Sequence, residues 1–297
     1  MSPARLLGTA LLTLLACRER SDGGQTPGLS GPLPAFGHVV IVVEENRDYA
    51  SVIGNAAAPY LNDLAAQYAL ATQYYANTHP SIGNYFMMTV GRVVTNDDAF
   101  SGVVTDDNIV RRLVAAGKSW KAYAENLPAV GFIGDGPSPY ARRHNPLSYL
   151  SDVVNDSVQR RRIVPFSQFA TDLAANALPA YSFVVPNLCH DAHDCVLDSA
   201  DVWLKTNIAP VIASPAFQRD GLLIILFDEA DGDATHGGGR IVWVAVSPNA
   251  KRGYRSNALY QHESTLRLAA EAVGLTAFPG AAAAAPNMAE FFTLARP

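Results

Sequence analysis

The sequence predicts an α/β domain built on a mainly parallel sheet with helices on both faces. Three observations predict it. Two short, unbroken apolar runs, residues 39–43 and 222–227, have the length and composition of strands buried on both faces. Segments with a helical period alternate with strand-like runs along the chain. Both apolar runs also stop abruptly in acid, at Glu44-Glu45-Asn46 and at Asp228-Glu229. The carboxyl ends of strands are where open α/β sheets place their sites.

The elements follow in order. Arg5, an apolar stretch over residues 6–16 and small residues at its end read as an export signal. The stretch is shorter than the roughly 20 apolar residues a spanning helix needs. Leu14-Leu15-Ala16-Cys17 resembles a bacterial lipobox, whose cysteine is lipidated and becomes the mature N-terminus. The alternative is an ordinary cleaved signal with an incidental cysteine. Residues 18–34 are rich in Gly, Ser and Pro and read as a flexible tether, which leaves 35–297 as one domain.

After the strand at 39–43, residues 59–75 carry Tyr60, Leu61, Leu64, Ala65, Tyr68 and Ala69 at a helical period. Helices are predicted over 81–88, ending near Gly91, and over 106–116, stopped by Gly117. A strand is expected over 118–123, and a long surface loop over the Gly- and Pro-rich 126–146. Residues 166–177 read as a helix and 180–185 as a strand broken by Pro186. Residues 198–212 read as a helix with Trp203 and Leu204 inward. Strands at 222–227 and 241–246 and a helix at 264–273 complete the pattern. Residues 281–285 are low-complexity, a loose helix or linker. No repeat and no shift in composition marks a second domain.

The chain has 297 residues, of which 49% are apolar, so a sizeable core is available. A net charge of −5 gives no general attraction to nucleic acid, so any phosphate-bearing partner must be held locally. Beyond Cys17, only Cys189 and Cys195 remain, flanking His190-Asp191-Ala192-His193-Asp194. In an exported chain such a pair is a plausible disulfide, and Cys/His zinc ligation is the alternative. The oxidising compartment and the absence of a Cys-x-x-Cys spacing favour the disulfide.

Two acidic strand ends about 180 residues apart invite convergence on one cation, because clustered buried carboxylates need a cation or a proton. Between them lies Thr78-His79-Pro80-Ser81-Ile82-Gly83-Asn84-Tyr85. A serine at a helix start is often only a cap. The same place suits a nucleophile, since helix-end amides favour a phosphate anion. Serine then needs a metal or a base to lose its proton.

Taken together, Glu45-Asn46-Arg47, His79-Pro80-Ser81-x-x-Asn84-Tyr85, Pro186-Asn187-x-Cys189-His190-Asp191-x-His193-Asp194 and Asp228-Glu229 carry a resemblance. Segments 117–125, His144-Asn145-Pro146 and His262-Glu263-Ser264 extend it. The chain resembles, from Gly37 to about Leu275, the bacterial phosphoesterase family of acid phosphatases and phosphatidylcholine-type phospholipases C. The resemblance implies an alkaline-phosphatase-like α/β core and phosphoryl transfer through a metal-bound Ser or Thr. It implies Glu45, Asn46, Ser81, Asp228 and Glu229 as metal ligands, and Ser81 as nucleophile. Asn84 would hydrogen-bond the phosphate. His190 and His193 would contact phosphate oxygens or protonate the leaving alkoxide. Asp191 would orient a histidine or add a ligand, and His144 would contact substrate. The sequence departs at Gly83, where relatives usually have proline, which would loosen the turn. It departs again at Arg240, where many relatives carry histidine.

An oxygen-rich ligand set suits one divalent cation, Ca²⁺, Mg²⁺ or Mn²⁺, and histidine participation would turn the choice toward Zn²⁺. The expected function is an exported, metal-dependent phosphoester hydrolase, an acid phosphatase acting on phosphomonoesters. The alternatives are a phospholipase C-type phosphodiesterase and a non-catalytic cation-binding lipoprotein. The expected partners are a phosphorylated small molecule or a lipid head group, not nucleic acid. Membrane contact is expected only through the N-terminal lipid anchor, at the periplasmic or cell-surface side. His236-Gly237-Gly238-Gly239 resembles a lipase oxyanion segment, but no Gly-x-Ser-x-Gly elbow occurs, so the glycines are expected to form a turn beside the metal. His262 is as well explained structurally as catalytically. His38, Tyr74 and Tyr75 read as structural.

Overall fold

A computed structural model describes Met1 and residues 32–293; the expected export signal, Cys17 and most of the tether fall outside the described residues. Among the described residues eight strands form one sheet: β1 His38–Glu44, β2 Ala69–Tyr74, β3 Trp120–Ala124, β4 Ile163–Pro165, β5 Tyr181–Val185, β6 Gly221–Phe227, β7 Trp243–Val246 and β8 Arg255–Tyr260. Their order is β4-β3-β5-β1-β6-β7-β2-β8. Only β7 runs antiparallel, against both β6 and β2. The mainly parallel sheet is therefore as expected.

β1 and β6 lie side by side at the centre of the order, and both are apolar enough to be covered above and below. Val39–Val43 and Leu222–Phe227 are all at most 1% exposed. Adjacent strand residues face opposite sides, so Glu44 and Glu45 point to different faces. Glu45 faces the helix Ser81–Val90, which packs against His262–Ala272. Glu44 lies on the side of the helix Leu197–Ala213, whose Asp201 caps Pro59–Gln67 by accepting from the Tyr60 and Leu61 amides at 3.0 and 2.8 Å. Helices thus cover both faces, and Trp203 and Leu204 are buried as expected.

Three strands escaped the sequence reading. The expected helix over 59–75 ends at Gln67, and β2 begins at Ala69. Leu64, Ala65, Tyr68 and Ala69 continue the helical period across a boundary that no Gly or Pro marks. Tertiary pairing with β7 and β8 decides it. β8 is a mostly polar edge strand, and β4 has only three residues. The expected loop over 126–146 also contains the short 3-10 turn Arg142–His144. Among the described residues no helix is long and apolar enough to cross a membrane.

Candidate active site

The β1–β6 register brings the two acidic ends together. Glu44 pairs with Phe227, and the Asp228 amide donates to the Glu44 carbonyl at 2.9 Å. Asn46 adopts a left-handed φ of 52°, which Asn tolerates better than most residues. That turn aims its amide at Asp228 Oδ1, at 3.2 Å, and the Glu229 amide donates to the same oxygen at 2.7 Å. Asp228 Oδ2 is buried and has no hydrogen-bond partner among the described residues.

Ser81 is the first helical residue after the N-cap Pro80. It does not cap the helix. Its Oγ donates to Glu45 Oε2 at 3.1 Å and lies 3.4 Å from Glu229 Oε1. The next amide, Ile82 N–H, is taken by Asp98 Oδ1 at 3.2 Å. One turn on, Tyr85 donates its hydroxyl to Glu45 Oε1 at 2.7 Å. Asn84 has its amide engaged inside the protein. Its Oδ1 accepts from the Asn77 and Thr78 amides, and its Nδ2 donates to the Thr78 carbonyl and to Glu229 Oε2. A phosphate contact from Asn84 would require Nδ2 to leave Glu229. His79 bridges Glu229 Oε2, at 3.0 Å from Nδ1, and the Asp233 carbonyl, at 3.0 Å from Nε2.

Gly83 has a packing reason. A Cβ there would sit 2.4 Å from Asn96 Oδ1 and 2.5 Å from Thr78 Cγ2. The residue lets this turn close tightly, which corrects the expectation that it loosens it. The glycines after His236 serve the same strand-to-helix connection. A Cβ on Gly237 would lie 2.0 Å from the Asn77 carbonyl oxygen, and one on Gly238 2.4 Å from that of Thr78.

His144 is not on the surface. It is 1% exposed and its ring stacks on Tyr85, with centroids 5.1 Å apart. Nδ1 lies 3.2 Å from Asp191 Oδ2 and Nε2 lies 3.1 Å from Glu45 Oε1. The second approach is not aligned as a hydrogen bond, and Nε2 has no hydrogen-bond partner. Burial pushes His144 down to about 3, with the Arg143 charge adding to the effect. A neutral ring donating Nδ1–H to Asp191 turns its Nε2 lone pair toward a carboxylate oxygen. Two acceptors so close need a proton or a cation between them.

The carboxylates make the same demand. Burial, then the Asp228 and Asp191 charges, hold Glu45 well above the usual carboxylate range. Burial raises Asp228 as well. Glu229 is pushed up to about 9 by burial and then by Asp228 and Asp98. Among the described residues no three His, Cys, Asp or Glu side chains already converge as a ligand cage. In this structure the carboxylates are held instead by Ser81, Tyr85, Asn84 and His79. The orphaned Asp228 Oδ2 and His144 Nε2, beside carboxylates lacking a countercharge, nevertheless fit a bound cation. His144 adds a nitrogen to the oxygen donors read from the sequence, and nitrogen suits Zn²⁺.

Cys189 and Cys195 are joined in a disulfide, with Cα atoms 4.6 Å apart. The loop it closes delivers Asp191, pushed up to about 7 by burial against the pull of the His193 amide. The Glu45 amide donates to the Asp191 carbonyl at 2.7 Å. Arg47 clamps the loop by donating to the Ala192 and Cys195 carbonyls at 2.9 and 3.1 Å. The two expected histidines part company. His190 pairs through Nδ1 with Glu125 at 2.9 Å and stacks on Trp203. His193 is held through Nδ1 by Asp194 at 2.6 Å and has its Nε2 3.4 Å from the Arg143 guanidinium. His262 is buried, with Nε2 donating to the Asp228 carbonyl at 2.6 Å; burial holds it down at about 4. It braces the strand end. His38 is likewise tied to the Pro179 carbonyl.

Tyr85, His79, Arg47, Asp98 and Arg143 join the site without a role read from the sequence. A signal existed for Tyr85, four residues after Ser81 and hence on the same helix face. Asp98 and Arg143 come from loops, whose return to the site no local pattern reveals.

Residues 55–276 match the family described as Phosphoesterase family. A phosphatidylinositol-3-phosphatase of Mycobacterium tuberculosis (strain ATCC 25618 / H37Rv) is 38% identical over 205 residues, covering 68% of this chain and 66% of that protein. A probable acid phosphatase of Kluyveromyces lactis is 34% identical over 245 residues, covering 78% of this chain and 57% of that protein. The chain spans between 49% and 66% of the length of such curated relatives. The relatives include yeast and fungal proteins, so the resemblance is not confined to bacteria. A Vibrio parahaemolyticus protein of the alkaline phosphatase superfamily shares the fold, with a TM-score of 0.58 at 14% identity over 83% of this chain and 69% of that one.

Proposed function

We propose that this chain, which belongs to the Phosphoesterase family, is a divalent-metal-dependent hydrolase of phosphomonoesters that uses Ser81 as its nucleophile. One observation carries the reading: Ser81 Oγ lies against both Glu45 and Glu229, where β1 and β6 end together. Glu45, Asn46, Ser81, Asp228 and Glu229 would hold the cation, with His144 Nε2 as a further donor. The chemistry a divalent cation supplies when bound here is neutralisation of charge on the reacting phosphoryl group.

Ser81 Oγ passes its proton to Glu229 Oε1, 3.4 Å away, and attacks phosphorus as the bond to the leaving oxygen breaks. His193, steadied through Nδ1 by Asp194, gives a proton from Nε2 to that oxygen. The neutral imidazole then takes a proton from the water that releases phosphate, and Glu229 returns its proton to the departing Ser81 Oγ. Tyr85 and His79 hold Glu45 and Glu229 in place. Asp191 fixes the His144 ring.

The named relatives are phosphatases, which supports a monoester over a diester and a phosphorylated small molecule or phosphorylated lipid head group as substrate. Export and a lipid anchor at Cys17 remain part of the proposal. The test is a phosphate-release screen on purified protein, stripped of metal and reloaded with single divalent cations. Cation-dependent release from monoesters supports the reading. Absence of release from any ester under every cation removes it and leaves a cation-binding lipoprotein.

A further inference from the structure

We propose that Asp98 holds the place of a substrate phosphate oxygen, and that an incoming phosphomonoester displaces it and takes over both of its partners, the Ile82 amide and Arg143. The inference rests on the hydrolase reading of the Ser81 site and adds to it a phosphate-binding residue and a reason for monoester preference.

Asp98 Oδ1 accepts from Ile82 N–H, the amide next to the nucleophile, at 3.2 Å. Its Oδ2 lies 3.6 Å from Arg143 Nε. That distance is an ion pair without a hydrogen bond, and Arg143 Nε is buried without a hydrogen-bond partner. The Arg143 guanidinium is 3.4 Å from His193 Nε2, the proposed proton donor. One carboxylate therefore spans an amide and a guanidinium, as a phosphoryl group with two anionic oxygens would. The pair sits at the rim, with Arg143 25% and Asp98 36% exposed. A loose, part-exposed ion pair is weakly held and exchanges readily.

Electrostatics call for such a cation. Behind Ser81 stand Glu45, Asp228 and Glu229, all buried, and Asp228 Oδ2 has no partner. A phosphate approaching them needs positive charge on its outer side as well. Arg47, the other arginine close by, has its guanidinium bonded to the Ala192 and Cys195 carbonyls. Among the described residues the Arg143 guanidinium is bonded to His193 and loosely paired with Asp98. Guanidinium forks suit phosphate oxygens. A monoester presents three non-bridging oxygens and up to two charges, a diester only two oxygens and one charge. The oxygen a diester lacks is the one Arg143 would take.

The experiment measures inorganic phosphate binding to metal-loaded protein by calorimetry, apart from turnover. Arg143→Ala should weaken phosphate at least about tenfold and lower kcat/KM for p-nitrophenyl phosphate more than for bis-p-nitrophenyl phosphate. Arg143→Lys should recover part of the loss. Asp98→Asn still caps Ile82 but yields its seat more easily, so phosphate should bind severalfold tighter. Unchanged phosphate affinity in folded Arg143→Ala, or unchanged or weaker affinity in Asp98→Asn, overturns the proposal. If Arg143→Ala does not fold, the Arg143→Lys and Asp98→Asn affinities decide it. Wild-type protein that hydrolyses no ester but binds phosphate with the dependence on Arg143 and Asp98 stated above would sink the hydrolase reading alone.

Discussion

Tyr85→Phe isolates what one hydroxyl does for the proposed cation site. The Tyr85 hydroxyl donates to Glu45 Oε1 at 2.7 Å, inside a fully buried site. That bond favours ionised Glu45, against the burial that raises it. A cation needs Glu45 ionised, so loss of the hydroxyl subtracts directly from cation affinity. A buried hydrogen bond to a charged group is worth about 1.5–3 kcal/mol, or about 10- to 100-fold in a dissociation constant. The phenyl ring keeps its stack on His144 at 5.1 Å, so the thermal midpoint should move little. The assay is titration of Mn²⁺ or Zn²⁺ into stripped wild-type and Tyr85→Phe protein by calorimetry. Unchanged affinity in the folded variant would refute the claim that Glu45 is a charged ligand held by Tyr85.

Other expectations follow from neighbouring geometry. His193→Ala should slow alkyl phosphates at least about tenfold more than p-nitrophenyl phosphate, since a phenolate leaves with less help from an acid; equal losses would remove His193 as the proton donor. Reducing the Cys189–Cys195 bridge should free the loop that carries Asp191 and weaken cation binding, read by calorimetry with and without reductant; identical affinities would show that the Arg47 clamp suffices alone. Burial is the largest single influence on Asp152 and pushes it up, but the Arg111 hydrogen bonds at 2.9 and 3.0 Å, the Asn108 hydrogen bond at 2.8 Å and the Arg111 charge together outweigh it and hold the carboxyl below its ordinary value. Its stabilisation is present above the unfolded value of about 3.9 and lost as pH falls through the lower folded one. Asp152→Asn should therefore cost about 1 kcal/mol near pH 7 and flatten the acid limb of the melting curve. Mass spectrometry of the mature protein should find a diacylglyceryl group on Cys17 as its first residue, and an unmodified N-terminus further along would exclude the anchor.

The parts of this molecule that were legible in the sequence share one property: the signal was local and strong. Residues 39–43 and 222–227 are apolar throughout because β1 and β6 are covered on both faces, and their acidic ends name the site edge. β2 was lost because Tyr68 and Ala69 extend the preceding helical period, so only pairing with β7 and β8 reveals the strand. β8 was lost because an edge strand can be mostly polar. His144 sits in a stretch rich in Gly and Pro, the composition of a surface loop. That loop folds back so that its histidine is sealed between Tyr85, Asp191 and Glu45. The encounter of Asp98 and Arg143 beside Ile82 likewise depends on two loops returning to one helix end.

The central claim is that Ser81 forms the bond to phosphorus, and phosphate release by folded, metal-loaded Ser81→Ala tests it most directly. Turnover of p-nitrophenyl phosphate should fall by at least about a thousandfold while cation affinity falls far less, because three carboxylates, Asn46 and His144 remain. Near-wild-type turnover in that variant would contradict the account and point to direct attack by water.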